Sequence, residues 1–223
     1  MLLVMMAGPP GSGKTTLAEG LVGALGPRTF LFGERLLFEV DEFADVAVAF
    51  RTKTTFPDTA MMLDAYSRFV DRVRDDVDVV VFDWSCAGMV EDLPCAQPDR
   101  TSLTTHRPEM RSDPEILASH SRDVRSLAEH AVLFVPDVSI ATAIGRAHAQ
   151  RGERWFDGWP EITNDRRDGS FLDAAVRYWE AGAPRKEDCV RAHAAGDWDV
   201  VRLDASAPAA DVLDAALSVL RGY

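Results

Sequence analysis

Runs of apolar residues without alternating polar positions recur along the chain. Four of them are clear, at 2–7, 77–82, 131–135 and 198–203. Runs of this kind are typical of parallel β-strands that are covered on both faces. We expect a fifth strand near 36–40. The pattern therefore predicts a parallel five-stranded sheet buried between two layers.

The segments between these runs have apolar residues at helical spacing. The predicted helices are 14–25, 59–75, 114–129, 138–150, 170–181 and 208–221. Alternation of strand and helix indicates a three-layer α/β fold, in which ligands bind at the carboxyl ends of the strands. With 223 residues, the chain suits one domain spanning 1–223.

A phosphate-binding motif directly follows the first apolar run. Residues 8–15 read Gly-Pro-Pro-Gly-Ser-Gly-Lys-Thr and match the pattern G-x-x-x-x-G-K-[ST]. Its glycines let backbone amides point at phosphate oxygens, and the positive end of the next helix faces the same oxygens. The motif therefore predicts that a nucleoside triphosphate binds here. The expected cofactor-binding residues are Gly8, Gly11, Ser12, Gly13, Lys14, Thr15 and Thr16.

The side chains of this motif predict a magnesium site. Lys14 is expected to reach the β- and γ-phosphates, and the Thr15 hydroxyl to ligate Mg²⁺. Asp83 ends the apolar run at 77–82, where an acid in a P-loop protein helps to hold the metal. The alternative for Asp83 is an ordinary strand-end carboxylate that caps a turn.

Two carboxylates, Asp41 and Glu42, follow the strand expected near 36–40. At that strand end, Asp41 would face the acceptor of the phosphoryl group and act as the general base for an attacking hydroxyl. Glu42 would hydrogen-bond substrate or begin the next helix. The alternative for Asp41 is the N-cap of a helix from about residue 42.

Three arginines follow the fourth strand and predict a lid at about 146–165. Arg146, Arg151 and Arg154 would close over the phosphates and stabilise charge on the transferring group. A solvated helix end is the alternative interpretation. A second segment, at about 84–114, is predicted to be an acceptor-side loop. Trp84 and Arg107 are weak candidates there for contact with substrate.

Charge and composition restrict the possible partners. The formal net charge of −12 argues against a nucleic-acid-coating surface, because such binding depends on Lys and Arg contacts to phosphate. An odd set of three cysteines, without metal-binding spacing, indicates a reduced, cytoplasmic protein. No apolar stretch approaches membrane-spanning length, so no membrane partner is expected. An apolar helix face near 59–70 allows a possible homodimer, although core packing explains it equally well.

The chain resembles the P-loop kinase superfamily, which includes nucleoside monophosphate kinases, shikimate and gluconate kinases, and chloramphenicol phosphotransferase-like enzymes. The residues that carry the resemblance lie at 8–15, 40–43, 77–83, 150–154 and 198–206. Val-Asp-Glu-Phe at 40–43 is similar to the segment where hydroxyl kinases of this group carry their general base. Arg-Gly-Glu-Arg at 151–154 looks like their lid, and 198–206 like their last strand and adenine-side loop.

The resemblance implies a kinase that uses ATP and Mg²⁺ to phosphorylate a hydroxyl of a small molecule, such as an antibiotic, sugar or nucleoside-like metabolite. The alternative is a nucleoside monophosphate or deoxynucleoside kinase. A nucleoside monophosphate acceptor needs arginines in place of a base, and Arg35, Arg51, Arg68 or Arg107 would supply them. A nucleotide-binding switch or assembly ATPase is a lesser alternative.

Overall fold

A single parallel sheet forms the centre of the protein. The computed structural model describes residues 1–52, 57–88, 113–152 and 170–223. Its strands are β1 Leu2–Met6, β2 Thr29–Phe32, β3 Val79–Phe82, β4 His130–Asp137 and β5 Asp199–Asp204. They pair in parallel in the order β2-β3-β1-β4-β5. The predicted parallel five-stranded sheet is therefore confirmed.

Eight α-helices surround this sheet in the described residues. They are α1 Lys14–Leu25, α2 Ala44–Thr52, α3 Thr59–Val73, α4 Pro114–Arg125, α5 Ile140–Arg151, α6 Phe171–Ala181, α7 Ala183–Ala195 and α8 Ala209–Leu220. Short 3-10 helices cover Glu34–Phe38, Asp41–Phe43 and Cys86–Gly88. Side-chain caps begin several helices. Asp58, for example, accepts a hydrogen bond from the Met61 amide at the start of α3.

The position of the fifth strand was predicted wrongly. The strand lies at Thr29–Phe32, and residues 34–38 form a 3-10 helix instead. In the run Leu36-Leu37-Phe38, Leu37 is buried and Phe38 is exposed. The run is apolar because it covers one side of the core, whereas a central strand is buried on both faces. The true strand is a short edge strand paired only with β3 in the described sheet, so its sequence signal is weak.

Helix α7 was not predicted from the sequence. It starts with Ala183-Pro184 and continues through the charged residues 185–188, which hide the apolar spacing. Its buried side is small and includes Cys189, Val190 and Ala192. Helices with such a narrow apolar stripe are difficult to recognise by periodicity alone.

Successive residues of β1 pack on opposite faces of the sheet. Leu3 and Met5 belong to a core cluster shared with α3, α4 and α7. Leu2, Val4 and Met6 belong to a second cluster shared with α1 and α8. Burial on both faces confirms the three-layer α/β prediction and explains why β1 has no polar alternation.

The structure bears only in part on the expected homodimer, the cysteines and the cellular location. The apolar face of α3, which suggested a possible homodimer, is buried inside the chain through Met62, Tyr66 and Phe69. Core packing therefore accounts for this face, and the homodimer stays a prediction. Cys86 and Cys189 are buried free thiols. No helix in the described ranges is long and apolar enough to cross a membrane. The cytoplasmic location and the absence of a nucleic-acid partner stay predictions.

The carboxyl ends of β1 and β3 meet at the topological switch point of the sheet. Strand β1 pairs with β3 on one side and with β4 on the other. Helix α1, which follows β1, packs on one face of the sheet, and α4, which comes after β3, packs on the other face. This divergence opens a crevice at the ends of β1 and β3. The segments 8–13 and 83–85 follow β1 and β3 and lie at this crevice.

Candidate functional site

The loop at 8–13 has the backbone of an anion-binding turn. Gly11 and Gly13 have positive φ values of 76° and 97°, which glycine adopts without steric cost. A Cβ at Gly11 would lie 1.9 Å from the carbonyl oxygen of Ala143 in α5. Gly13 is the N-cap of α1, so the loop ends at the positive end of that helix. Glycine is therefore required at Gly11 both by the conformation and by the close approach of α5.

The Lys14 ammonium folds back over this loop. Its Nζ donates hydrogen bonds of 2.9 Å to the carbonyl oxygens of Gly8 and Pro9. Burial lowers the pKa of Lys14, and the nearby carboxylates of Asp83 and Glu34 oppose that shift. A bound phosphate would favour the charged form of this lysine further.

Thr15 and Asp83 form a pair that fits a divalent cation. The Thr15 hydroxyl donates a hydrogen bond of 2.7 Å to Asp83 Oδ2. The other carboxylate oxygen, Oδ1, is buried and has no hydrogen-bond partner among the described residues. Burial raises the pKa of Asp83, while the Thr15 hydrogen bond and Lys14 oppose the rise. A buried carboxylate oxygen left open beside a hydroxyl is a suitable donor set for Mg²⁺.

The protein supplies only part of such a coordination shell. Within the described ranges, no group of three or more His, Cys, Asp or Glu side chains is arranged to hold a metal ion. Magnesium sites that act on nucleotides commonly use one or two protein ligands and complete the shell with phosphates and water. Thr15 and Asp83 match that division.

A cavity of about 550 Å³, which we name the P-loop cavity, follows the glycine-rich loop onto α5. It is lined by residues 10–17, Glu19, Glu34, Asp83, Pro136, Arg146, Gln150, Arg151, Ala205, Ala207, Ala209 and Val212. Arg146 donates a hydrogen bond of 2.9 Å to the Ala205 carbonyl, which follows β5. The alanines and Val212 give this cavity an apolar end, while the loop gives it a polar end.

A second cavity, of about 380 Å³, lies on the other side of Lys14, and we name it the aromatic cavity. Its lining contains Trp84, Tyr178 and Trp179, with Arg185, Lys186 and Cys189 from α7. Trp84 is held by a hydrogen bond of 2.7 Å from its indole N–H to the Tyr66 hydroxyl. Its ring also makes an edge contact with Phe32, at 5.3 Å between centroids. The wall that Trp84 forms is therefore rigid.

The two cavities meet at a small set of shared residues. Pro10, Lys14, Glu34 and Asp83 line both of them. Glu34 was missed in the sequence analysis. It follows Gly33 directly after β2, so it occupies the strand end where Asp41 was expected to lie. Placing that strand at 29–32 instead of 36–40 would have identified it.

The structure does not bring Asp41 or Glu42 to either cavity. Asp41 is exposed and begins the 3-10 helix Asp41–Phe43. The Glu42 carboxylate pairs with Arg72 at 3.0 Å, and its backbone carbonyl accepts a hydrogen bond from Arg68. These contacts attach the 3-10 helix to α3. The predicted substrate roles of both acids gain no support from them.

The other predicted residues divide into two groups. All seven expected cofactor-binding residues line one or both cavities, and so do Asp83, Trp84, Arg146 and Arg151. Arg107 and Arg154 lie outside the described residues, together with 89–112 of the expected acceptor-side loop and 153–165 of the expected lid.

The sheet order, the glycine-rich loop after its central strand and the Thr15–Asp83 pair together form a three-layer α/β fold of the P-loop type. The predicted fold class is therefore confirmed. No protein-family model matches the sequence, and no curated protein matches it.

Two solved structures share the general fold at low similarity. One is an unliganded sugar kinase from Janibacter sp. HTCC2649, with a TM-score of 0.49 and 15% identity over 99% of this chain and 93% of that one. The other is a deoxyadenosine kinase from M. mycoides with bound dCTP, with a TM-score of 0.47 and 14% identity over 99% and 100%. At this level of similarity, neither structure carries an argument about the activity of this chain.

Proposed function

We propose that the protein is an ATP-dependent phosphotransferase that moves the γ-phosphoryl group to a hydroxyl of a small molecule. The observation that carries this proposal is the junction of the two cavities at Lys14, Glu34 and Asp83. A triphosphate in the P-loop cavity would end at this junction. An acceptor in the aromatic cavity would place its hydroxyl at the same point, which makes a direct transfer between them possible.

The nucleotide side of the junction positions and neutralises the phosphates. The amides of 8–13 and the Lys14 ammonium would bind the β- and γ-phosphates. Thr15 and Asp83 would hold Mg²⁺, which neutralises phosphate charge when it is bound. Arg146 and Arg151 line the same cavity. Arginines placed in this way stabilise the transferring group, an effect of about 10³–10⁵ in rate for comparable arginine fingers.

The acceptor side needs a base, and Glu34 is placed to act as one. Its carboxylate would take the proton from the acceptor hydroxyl as that oxygen bonds to the γ-phosphorus. The bond between the γ-phosphorus and the β–γ bridging oxygen breaks, and ADP leaves. Glu34 replaces Asp41 in this role because Glu34 lines both cavities, whereas Asp41 lines neither.

The direct test is product analysis. The purified protein is incubated with Mg²⁺, ATP and a panel of sugars, hydroxy acids, antibiotics and nucleosides, and products are identified by mass spectrometry. We expect a phosphate ester on one compound class and none with Lys14→Met. ATP hydrolysis that never depends on an acceptor would contradict the proposal and favour a nucleotide-binding switch or assembly ATPase.

A nucleoside-type acceptor is the second candidate, since an aromatic wall provides stacking faces for a base. Trp84, Tyr178 and Trp179 line the aromatic cavity. The arginines suggested for a nucleoside monophosphate kinase give no matching support. Arg35 pairs with Glu39, and Arg68 pairs with Asp64. Arg107 and the side chain of Arg51 do not belong to the described part of the chain. Transfer to a nucleoside hydroxyl, rather than to a nucleotide phosphate, would favour the deoxynucleoside kinase alternative.

A further inference from the structure

The start of α7 brings two cationic side chains to the aromatic cavity. Arg185 and Lys186 both line it, beside Trp179 and Gly182. Lys186 is one of only three lysines in a chain whose net charge is −12. Lys14 lines the same cavity, so two of the three lysines meet at one place. With Arg185, they bring three cationic side chains to a cavity that Glu34 and Asp83 also line.

Lys186 has no anionic partner in the described part of the chain. Its Nζ lies 4.4 Å from the centroid of the Trp179 ring, a cation–π arrangement. Burial lowers the pKa of Lys186 well below its usual value, and the positive charges of Lys14 and Arg185 lower it further. A desolvated ammonium beside other cations is costly unless an anion joins it.

The helix itself adds to the positive charge. Arg185 and Lys186 lie within four residues of the α7 N-terminus, where the helix dipole disfavours cations, and the first turn contains no acidic residue. The two acids that follow are engaged elsewhere. Glu187 pairs with Arg202 at 2.7 Å, and Asp188 pairs with Arg191. Lys186 therefore brings to the cavity a positive charge that is not paired with either of these acids.

We propose that the acceptor carries an oxyanion, a carboxylate or a phosphate, and that Lys186 with Arg185 binds it in the aromatic cavity. The oxyanion is separate from the hydroxyl that is phosphorylated. This inference rests on the proposed function and specifies its substrate class as hydroxy acids or phosphorylated hydroxyl compounds. The carboxylates of Glu34 and Asp83 line the same cavity and repel an anion. The anionic end is therefore directed to α7, and the hydroxyl end to Glu34.

Anion binding can be measured without turnover. The 223-residue chain is first saturated with Mg²⁺ and a non-hydrolysable ATP analogue, so that the P-loop is already filled. The thermal midpoint is then recorded with gluconate, glycerate or inorganic phosphate, and with glucose or glycerol, at constant ionic strength. We expect at least one oxyanion to raise the midpoint, and neither neutral compound to do so.

Charge variants locate the bound anion. The midpoint increase should disappear in Lys186→Gln and persist in Lys186→Arg. Arg221→Gln is the matched control, because it removes one positive charge from an exposed position after α8 and should keep the response. An equal response in Lys186→Gln and wild type, or no response to any oxyanion, would overturn the inference.

Activity then separates this inference from the proposed function. With an anionic acceptor, Lys186→Gln should raise KM about 10- to 100-fold, as expected for the loss of a charged hydrogen bond, while KM for ATP stays unchanged. Equal transfer to neutral and anionic hydroxyl compounds would contradict the oxyanion and leave the kinase proposal standing. Lys186-dependent anion binding without transfer to any hydroxyl would contradict the kinase proposal alone. Transfer onto the oxyanion itself would overturn the inference in favour of a nucleoside monophosphate kinase type of reaction.

Discussion

The two cavities are built in different ways. The P-loop cavity uses one continuous segment, 10–17, and places its backbone and short side chains against α5. The aromatic cavity combines Trp84 after β3 with Tyr178 and Trp179 from α6 and Lys186 from α7. A backbone turn recognises what every triphosphate has in common, whereas large side chains from distant segments select one acceptor. In the proposed function, the P-loop cavity thus serves general binding and the aromatic cavity serves specific binding.

Variants at the junction of the two cavities should have the largest effect and test this comparison most directly. Replacing Glu34→Gln should lower turnover by about 10²–10⁴-fold, because the general base is lost, while the dissociation constant of ATP changes little. The matched variant Asp41→Asn should keep near-normal turnover, since Asp41 lines neither cavity. Steady-state kinetics and calorimetry measure the two effects. The opposite pattern would return the role of base to Asp41.

A substitution that distorts the P-loop should lower the free energy of unfolding and weaken nucleotide binding. Gly11→Ala places a Cβ 1.9 Å from the Ala143 carbonyl oxygen at a φ of 76°. We expect a loss of about 2–5 kcal/mol in the free energy of unfolding, from left-handed strain and overpacking. Denaturant titration gives the value. Gly23→Ala, in a helix and with open space around its Cβ, is the control and should not destabilise. A fully stable Gly11→Ala protein would mean that α5 does not approach the loop so closely.

Lys14 lines both cavities, so its replacement should affect nucleotide binding and phosphoryl transfer together. Lys14→Met should weaken ATP binding about 10- to 100-fold, as expected when charge-assisted hydrogen bonds are lost. It should also remove turnover with every acceptor. Calorimetry with Mg²⁺ and ATP measures the first effect, and product analysis the second. Unchanged ATP affinity in this variant would show that the lysine does not reach the phosphates.

The smallest expected effect concerns the free energy of unfolding, because burial of Lys186 beside the aromatic cavity opposes folding. Because the pKa of Lys186 is lowered in the folded protein, the unfolded chain binds more protons between that lowered pKa and the usual value of 10.5. The titration of Lys186 should therefore contribute a rise of the free energy of unfolding with pH across this window.

Lys186→Met removes that titration, so its unfolding free energy should show less of this rise. Without ligand it should be as stable as the wild type, or more stable by about 1 kcal/mol, since a poorly compensated charge is removed. Denaturant titrations of both proteins at several pH values provide the measurement. A less stable Lys186→Met protein would indicate that the ammonium is well compensated in the free enzyme.

The candidate site was predictable where the chain builds it locally. Residues 8–16 were found from one motif, and Asp83 from its place at the end of an apolar run. Glu34 was not predicted, because the strand that precedes it is only four residues long and lies at the edge of the sheet. The apolar run Leu36-Leu37-Phe38 has the pattern of a strand and was taken for it. Because the strand was predicted a few residues too late, the acid expected at its end was Asp41, whereas the structure places Glu34 there, at the edge of both cavities.

By itself, the sequence determined the α/β class, the parallel sheet and the phosphate-binding turn, because each depends on spacing within a short segment. Only the tertiary structure decided which acid stands at the junction and what lines the aromatic cavity. Residues 84, 179 and 186 come from three separate segments, and no local pattern relates them. They meet because the sheet order and the packing of α6 and α7 bring them together. Contacts between residues from different segments depend on tertiary packing, and the short-range periodicity of the sequence carries no information about them.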